Sequence, residues 1–130
     1  MKQKTEIAAI YILGLIYFIF GLNGFLNFIP PPSDPMPEAA TSFFGGIMAA
    51  GYFLPVLKGT EVLGGLLLLA GFWRPVALVV LAPITIHILL FHGLLTPGIQ
   101  FIILPVVMVV LHILSAAKYW DKFKVLFIKG

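Results

Sequence analysis

Apolar residues occur along this chain in long runs that are separated by short polar or proline-rich segments. Four of these runs predict membrane-spanning helices, because about 20 predominantly apolar residues are needed to cross the hydrocarbon core of a bilayer. The predicted spans cover approximately residues 7–29, 55–73, 76–92 and 97–117. The pattern therefore predicts an all-α protein, an integral membrane four-helix bundle that forms a single transmembrane domain over residues 1–130.

The segment between the first two spans predicts an additional short helix. The proline-rich stretch Pro30–Pro37 cannot continue a helix, so we expect a loop there. Residues 41–53 are apolar, but together with the next run they are too short for two crossings and a turn. We therefore expect a helix at about 41–53 that lies on the membrane interface or re-enters the membrane, and the sequence fits both placements.

Composition and charge support a membrane protein and predict its orientation. Only 10% of the residues are charged and the mean hydropathy is +1.10, whereas soluble domains average about 25% charged residues. With four spans, seven of the eight basic residues fall on one side, which the positive-inside rule makes the cytoplasmic side, together with both termini. These residues are Lys2, Lys4, Arg74, Lys118, Lys122, Lys124 and Lys129.

Two further expectations follow from the distribution of residues. The basic residues stand at helix ends and not in a patch with aromatic residues, so we expect no nucleic-acid partner. The first apolar run is too long for the core of a signal peptide and no A-x-A cleavage site follows it. We therefore expect it to be retained as a span.

The second span carries a single acidic residue, Glu61, within an otherwise apolar run. A carboxylate in the membrane costs several kcal/mol unless it is paired or protonated. On a helix of 3.6 residues per turn, one face carries Glu61, Gly64, Gly65, Leu68 and Phe72. Glycines let a neighbouring backbone come close, so we expect this face, and Glu61 with it, to point into the bundle.

Polar residues of three spans are expected at one level. Asn23, Glu61 and His87 each lie about six residues, or roughly 9 Å, from the same end of their predicted spans. Gln100 lies slightly nearer that end, and Lys58 lies one turn from Glu61. We predict a small polar pocket with Glu61, His87, Asn23, Lys58 and Gln100 as candidate ligand-binding residues. The alternative is that these groups only satisfy one another and fix the helix register.

The chemistry of such a pocket suits proton exchange or a quinone-like or amine ligand, because a histidine and a carboxylate in a low dielectric can share a proton. The chain has no cysteine, which excludes thiol chemistry and iron–sulfur clusters of its own. His92 is expected to be solvated at the boundary, and His112 is more than about 10 Å from the level of His87, which disfavours a haem between them. We expect no metal site and no intrinsic cofactor, and no motif assigns a catalytic residue.

Several segments resemble the DoxX family of small bacterial membrane proteins over about residues 7–117. The matching pieces are Phe20-Gly-Leu-Asn-Gly24, the stretch from Phe43 to Tyr52, and Glu61-x-x-Gly-Gly-x-x-Leu-Leu-x-Gly71, which is followed by Arg74. His87 in the third span also fits. Members of the family often have a basic residue at the position of Gly24.

The resemblance implies a four-helix bundle in the bacterial inner membrane, with Glu61 as the residue of greatest expected importance. The family takes its name from a subunit of a quinone-linked oxidoreductase, and some members associate with redox enzymes. It therefore implies an accessory subunit that binds a small lipophilic ligand, such as a quinone or a lipid, and takes electrons from a redox-enzyme partner. The alternatives are a non-enzymatic assembly scaffold and, less favoured, a small transporter. The glycine faces also permit a homodimer.

Overall fold

The chain is mostly helical over the residues that the computed structural model describes, which are 2–31, 34–128 and 130. Pro32 and Ser33 of the predicted proline loop, and the basic residue Lys129, lie outside the described residues. The α-helices are α1 (Lys2–Leu26), α2 (Glu38–Ala49), α3 (Phe53–Ala70), α4 (Arg74–Leu90), α5 (Ile99–Lys118) and α6 (Trp120–Phe123). A π-helical turn, Phe91–Leu95, extends α4, and a 3₁₀ turn, Lys124–Phe127, follows α6.

Four of these helices, α1, α3, α4 with its π-helical turn, and α5, are long and apolar enough to cross a membrane. The prediction of an all-helical chain with four helices of spanning length is confirmed. α1 begins at Lys2 and not at Ile7, because the polar residues before the apolar run also favour a helix. The outward faces of the four helices are largely apolar, as Leu15, Val79 and Ile113 illustrate. This surface favours a lipid environment over water.

The four long helices form a ring in the order α1, α3, α4, α5, with α5 closing back onto α1. Apolar side chains from all four helices meet at the centre of the ring. The buried core consists of Ile10, Leu13, Tyr17, Leu68, Ala77, Leu78, Leu81 and Met108. Because the chain runs up and down, the ring has one end that carries Lys2 and Lys118, the termini end, and an opposite end that carries Leu26 and Ile99.

The predicted inward face of α3 is buried at Glu61, Gly64, Gly65 and Leu68. Gly65 faces α1 so closely that a Cβ atom there would lie 2.6 Å from the backbone nitrogen of Phe18. Gly64 instead faces the side chain of Leu81 on α4. The predicted fifth member of the face, Phe72, is exposed. It lies beyond the end of α3 because Gly71 adopts a left-handed conformation (φ 77°) that ends the helix.

Arg74 connects three helices at the termini end. Its Nε donates a hydrogen bond to the carbonyl oxygen of Leu68 at 2.8 Å, near the C-terminus of α3. Its guanidinium carbon lies 5.1 Å from the centre of the Tyr11 ring on α1. A cation at this position satisfies a carbonyl of the last turn and interacts favourably with the helix dipole.

We therefore expect Arg74→Met to lower the free energy of unfolding by about 1.5 kcal/mol, because hydrogen bonds made by charged groups contribute roughly this amount. Unfolding in mixed detergent micelles, followed by far-UV circular dichroism as SDS is added, would measure the change. Arg74→Lys is the control that keeps the charge without the planar donor geometry and should lose a smaller part. Equal stability of wild type and Arg74→Met would contradict the capping role.

Candidate functional site

A cavity of about 350 Å³ lies between the four long helices. It extends from the end of the bundle opposite the termini to the middle, where Tyr17 and Met108 lie. Its walls are mostly apolar, but four polar side chains besides Tyr17 reach it. The lining residues are Ile16, Tyr17, Phe20, Lys58, Glu61, Ile88, His92, Gln100, Phe101, Leu104, Pro105 and Met108.

The charged part of the cavity wall is an ion pair on α3. Lys58 Nζ lies 3.3 Å from Glu61 Oε2, one helical turn away. The Glu61 side chain is only 4% exposed and the Lys58 side chain is 23% exposed. The aliphatic stem of Lys58 lies against Gly24 of α1, where any Cβ atom would collide with it. The glycine therefore makes the room in which the lysine reaches the carboxylate, and the pair brings no net charge into the bundle.

His92 and Gln100 supply uncharged polar groups near the open end of the cavity. The Nδ1 atom of His92 lies 2.9 Å from the carbonyl oxygen of Ile88. A carbonyl can only accept, so Nδ1 carries the proton and the Nε2 atom of a neutral ring is left as an acceptor. Within the described ranges, neither this Nε2 nor the Gln100 amide has a hydrogen-bond partner. Both groups remain available to a ligand.

The structure brings together three of the five candidate residues, Glu61, Lys58 and Gln100, in the lining of this cavity. The other two lie elsewhere. Asn23 Oδ1 accepts a hydrogen bond from the backbone N–H of Ile29 at 2.7 Å, where it satisfies the chain just after α1. His87 is exposed on the outer surface of α4. The predicted grouping of Asn23, Glu61 and His87 in one pocket is therefore not formed.

The reason is that helical rise fixes the level of a side chain, whereas helical rotation fixes its direction. The inward stripe of α4 contains Leu78, Leu81 and Thr85, and a spacing of seven residues brings His92 onto the same stripe. His87 is two residues from Thr85 and so points away. The expectation that His92 is solvated at the boundary is wrong, because it is partly buried and lines the cavity. The spacing that places His92 on the inward stripe of α4 is visible in the sequence, so this residue could have been predicted from it.

A chain of hydrogen bonds, which the sequence did not predict, begins at the inner end of the cavity. The Tyr17 hydroxyl is hydrogen-bonded to Thr85 Oγ1, and Thr85 Oγ1 lies 2.9 Å from His112 Nδ1. His112 Nε2 lies 2.9 Å from the carbonyl oxygen of Leu78. The three side chains come from α1, α4 and α5, and all are buried. The hydrogen-bonded chain Tyr17–Thr85–His112 therefore crosses the centre of the bundle.

The carbonyl of Leu78 sets the direction of these bonds. Because it can only accept, His112 Nε2 carries a proton, and Nδ1 of the neutral ring accepts from the Thr85 hydroxyl. Thr85 in turn accepts from the Tyr17 hydroxyl. Every group is satisfied in this arrangement. His112 also lines an open groove of about 710 Å³ at the termini end, together with Lys2 and apolar residues such as Trp120.

No group of three or more His, Cys, Asp or Glu side chains that could hold a metal ion is found in the part of the chain that the structure describes. Comparison of the sequence and fold with protein-family models, curated proteins and solved structures finds no match. The resemblance to the DoxX family therefore stays a prediction, and the cavity and the hydrogen-bonded chain are the features that bear on function.

Proposed function

We propose that this protein is an integral membrane protein whose cavity beside Lys58 and Glu61 binds a small lipophilic ligand of the quinone class, as an accessory, DoxX-like component of a membrane redox system. The observation that carries the proposal is the composition of the cavity. It combines apolar walls with a few convergent polar groups, and its volume of about 350 Å³ lies within the range typical of ligand sites.

The polar groups match a quinone better than an amine. The two carbonyl oxygens of a quinone can accept hydrogen bonds from Lys58 Nζ and from the Gln100 amide, and the hydroxyls of the reduced form can donate to His92 Nε2. Phe20 and Phe101 provide aromatic surface for the ring. An amine would need Glu61 as its counter-ion, but Lys58 already neutralises that carboxylate. A neutral ligand therefore fits the site best.

The membrane setting of the proposal is supported by charge and by exposed apolar residues. Lys2, Lys4 and Lys118 stand at the termini end of the bundle, and by the positive-inside rule this supports the proposal that this end faces the cytoplasm from a bacterial inner membrane. At the opposite end, α2 exposes Phe43, and Met48 is also exposed, as expected of a helix that lies in the membrane interface. The cavity then opens toward the outer leaflet, where lipophilic ligands can enter.

Exchange of the two histidines of α4 tests the proposal. We expect His92→Phe to weaken binding of a short-chain benzoquinol, the reduced form, about tenfold, because the hydrogen bond that a quinol hydroxyl donates to His92 Nε2, about 1.4 kcal/mol, is lost. His87→Phe is the matched control on the same helix and should bind as wild type does. Isothermal titration calorimetry of the purified protein in detergent would measure both affinities.

The scaffold hypothesis gives a different result in the same experiment. If the polar groups only fix the register of the helices, the benzoquinol will not bind to wild type, or all three proteins will bind it equally through nonspecific partition. Either outcome would reject the ligand-binding proposal. Circular dichroism of each variant would establish that the comparison is made between folded proteins.

A further inference from the structure

We infer that the chain Tyr17–Thr85–His112 is a proton path that connects the Glu61 cavity with the groove at the termini end. The inference goes beyond ligand binding, because it rests on hydrogen bonds that do not involve the ligand groups of the cavity. It uses three buried polar side chains that ligand binding leaves without a role, and it assigns to the bundle a proton-conducting activity.

The proton path begins at the cavity. Tyr17 lines the cavity together with Glu61 and Lys58, so the phenol and the ion pair border the same space. Gln100 and His92 border that space at its open end. Water in the cavity can therefore deliver a proton to Tyr17, the first member of the hydrogen-bonded chain. Polar groups are thus present from the open end of the cavity to the centre of the bundle.

The proton path ends at the groove. His112, the last member, lies six residues before Lys118, so it is roughly 9 Å from the end of α5. It is buried, with 9% of its surface exposed, yet it lines the open groove of about 710 Å³. Lys2 is the other titratable residue among the residues that line this groove. A proton released by His112 can therefore pass directly to water in the groove.

A hydronium ion in the cavity adds a proton to the Tyr17 oxygen as Tyr17 passes its own proton to Thr85 Oγ1. Thr85 passes its proton to His112 Nδ1, which gives an imidazolium with a proton on each nitrogen. The imidazolium then turns its Nε2–H away from the Leu78 carbonyl oxygen, with which it is hydrogen-bonded at rest, and His112 releases this proton to water in the groove. Rotation of the hydroxyls and of the ring restores the starting arrangement, and one positive charge has crossed.

The competing explanation is that the chain only holds α1, α4 and α5 in register. The two explanations differ in what Thr85→Val does, because valine has nearly the shape of threonine but no proton to pass on. Thr85→Ser restores a hydroxyl and should restore the path. Ser115→Ala is the matched control, because the Ser115 hydroxyl is buried on α5 but bonds the carbonyl oxygen of Leu111 in its own helix.

The test uses the purified full-length protein in phosphatidylcholine–phosphatidylglycerol vesicles that contain a pH-sensitive dye and no quinone. A valinomycin-induced potassium potential drives proton entry. We expect wild type, Thr85→Ser and Ser115→Ala to acidify the vesicles faster than protein-free vesicles do, and Thr85→Val to reduce this protein-dependent rate about tenfold or more, because a positioned proton-transfer group is removed.

The inference is overturned if wild type conducts no faster than protein-free vesicles, if Thr85→Val conducts as wild type does, or if Ser115→Ala loses conduction as well. If Thr85→Val does not fold, Tyr17→Phe, which keeps the ring and removes the hydroxyl, decides in the same way. Because the vesicles hold no quinone, failure here leaves the binding proposal to be judged by its own titration.

Discussion

Gly65→Ala is expected to lower the free energy of unfolding by about 3 kcal/mol, since overpacking a well-packed site costs roughly 1–3 kcal/mol and the relief available here is small. The added Cβ atom would lie 2.6 Å from the backbone nitrogen of Phe18 and 2.7 Å from the backbone oxygen of Gly14. Backbone atoms cannot rotate out of the way as a side chain can. α1 and α3 would have to move apart, and contacts such as that between Gly14 and the Leu68 side chain would open with them.

Gly59→Ala is the control on the same helix. No atom lies within 4 Å of the position that its Cβ would take, so alanine should be neutral or stabilising by up to about 1 kcal/mol through its higher helix propensity. Unfolding by SDS in mixed micelles, followed by far-UV circular dichroism, would compare the two variants. Similar midpoints for Gly65→Ala and Gly59→Ala would mean that α1 and α3 do not meet at Gly65.

The four long helices and the inward face of α3 could be predicted because both depend on local properties. The length of an apolar run determines whether it can span a membrane, and the 3.6-residue period places Glu61, Gly64, Gly65 and Leu68 on one side of a helix. Both features are therefore present within a single segment. The period does not show where a helix ends. The left-handed turn at Gly71 ends α3 and so removes Phe72 from the predicted face.

The candidate site could be predicted only in part, because it depends on how four helices rotate relative to one another. Lys58 and Glu61 share a helix, and their spacing alone brings them together. The bond between Tyr17 and Thr85 joins residues 68 positions apart, and nothing in either segment indicates the other. Close approaches such as that of Gly65 to α1 set those rotations. The sequence shows the glycine but does not show which helix it faces.

The ion pair of the cavity should respond asymmetrically to removal of its two members. Lys58→Met leaves Glu61, which is 4% exposed, as a buried carboxylate without its partner, and breaking a buried pair in this way costs about 3 kcal/mol or more. Glu61→Gln leaves a lysine that is 23% exposed and can extend its ammonium group toward the open end of the cavity. We expect that change to cost only about 1 kcal/mol.

A double-mutant cycle measures the coupling between the two residues. In the variant with both Lys58→Met and Glu61→Gln, no charge remains in the cavity wall, and the methionine stem still fills the space beside Gly24. We expect this variant to recover most of the stability that Lys58→Met alone loses, because the unpaired carboxylate causes that loss. SDS unfolding of the four proteins under one condition gives the cycle. A Glu61→Gln cost larger than that of Lys58→Met would place the main desolvation penalty on the lysine and would contradict the asymmetry expected here.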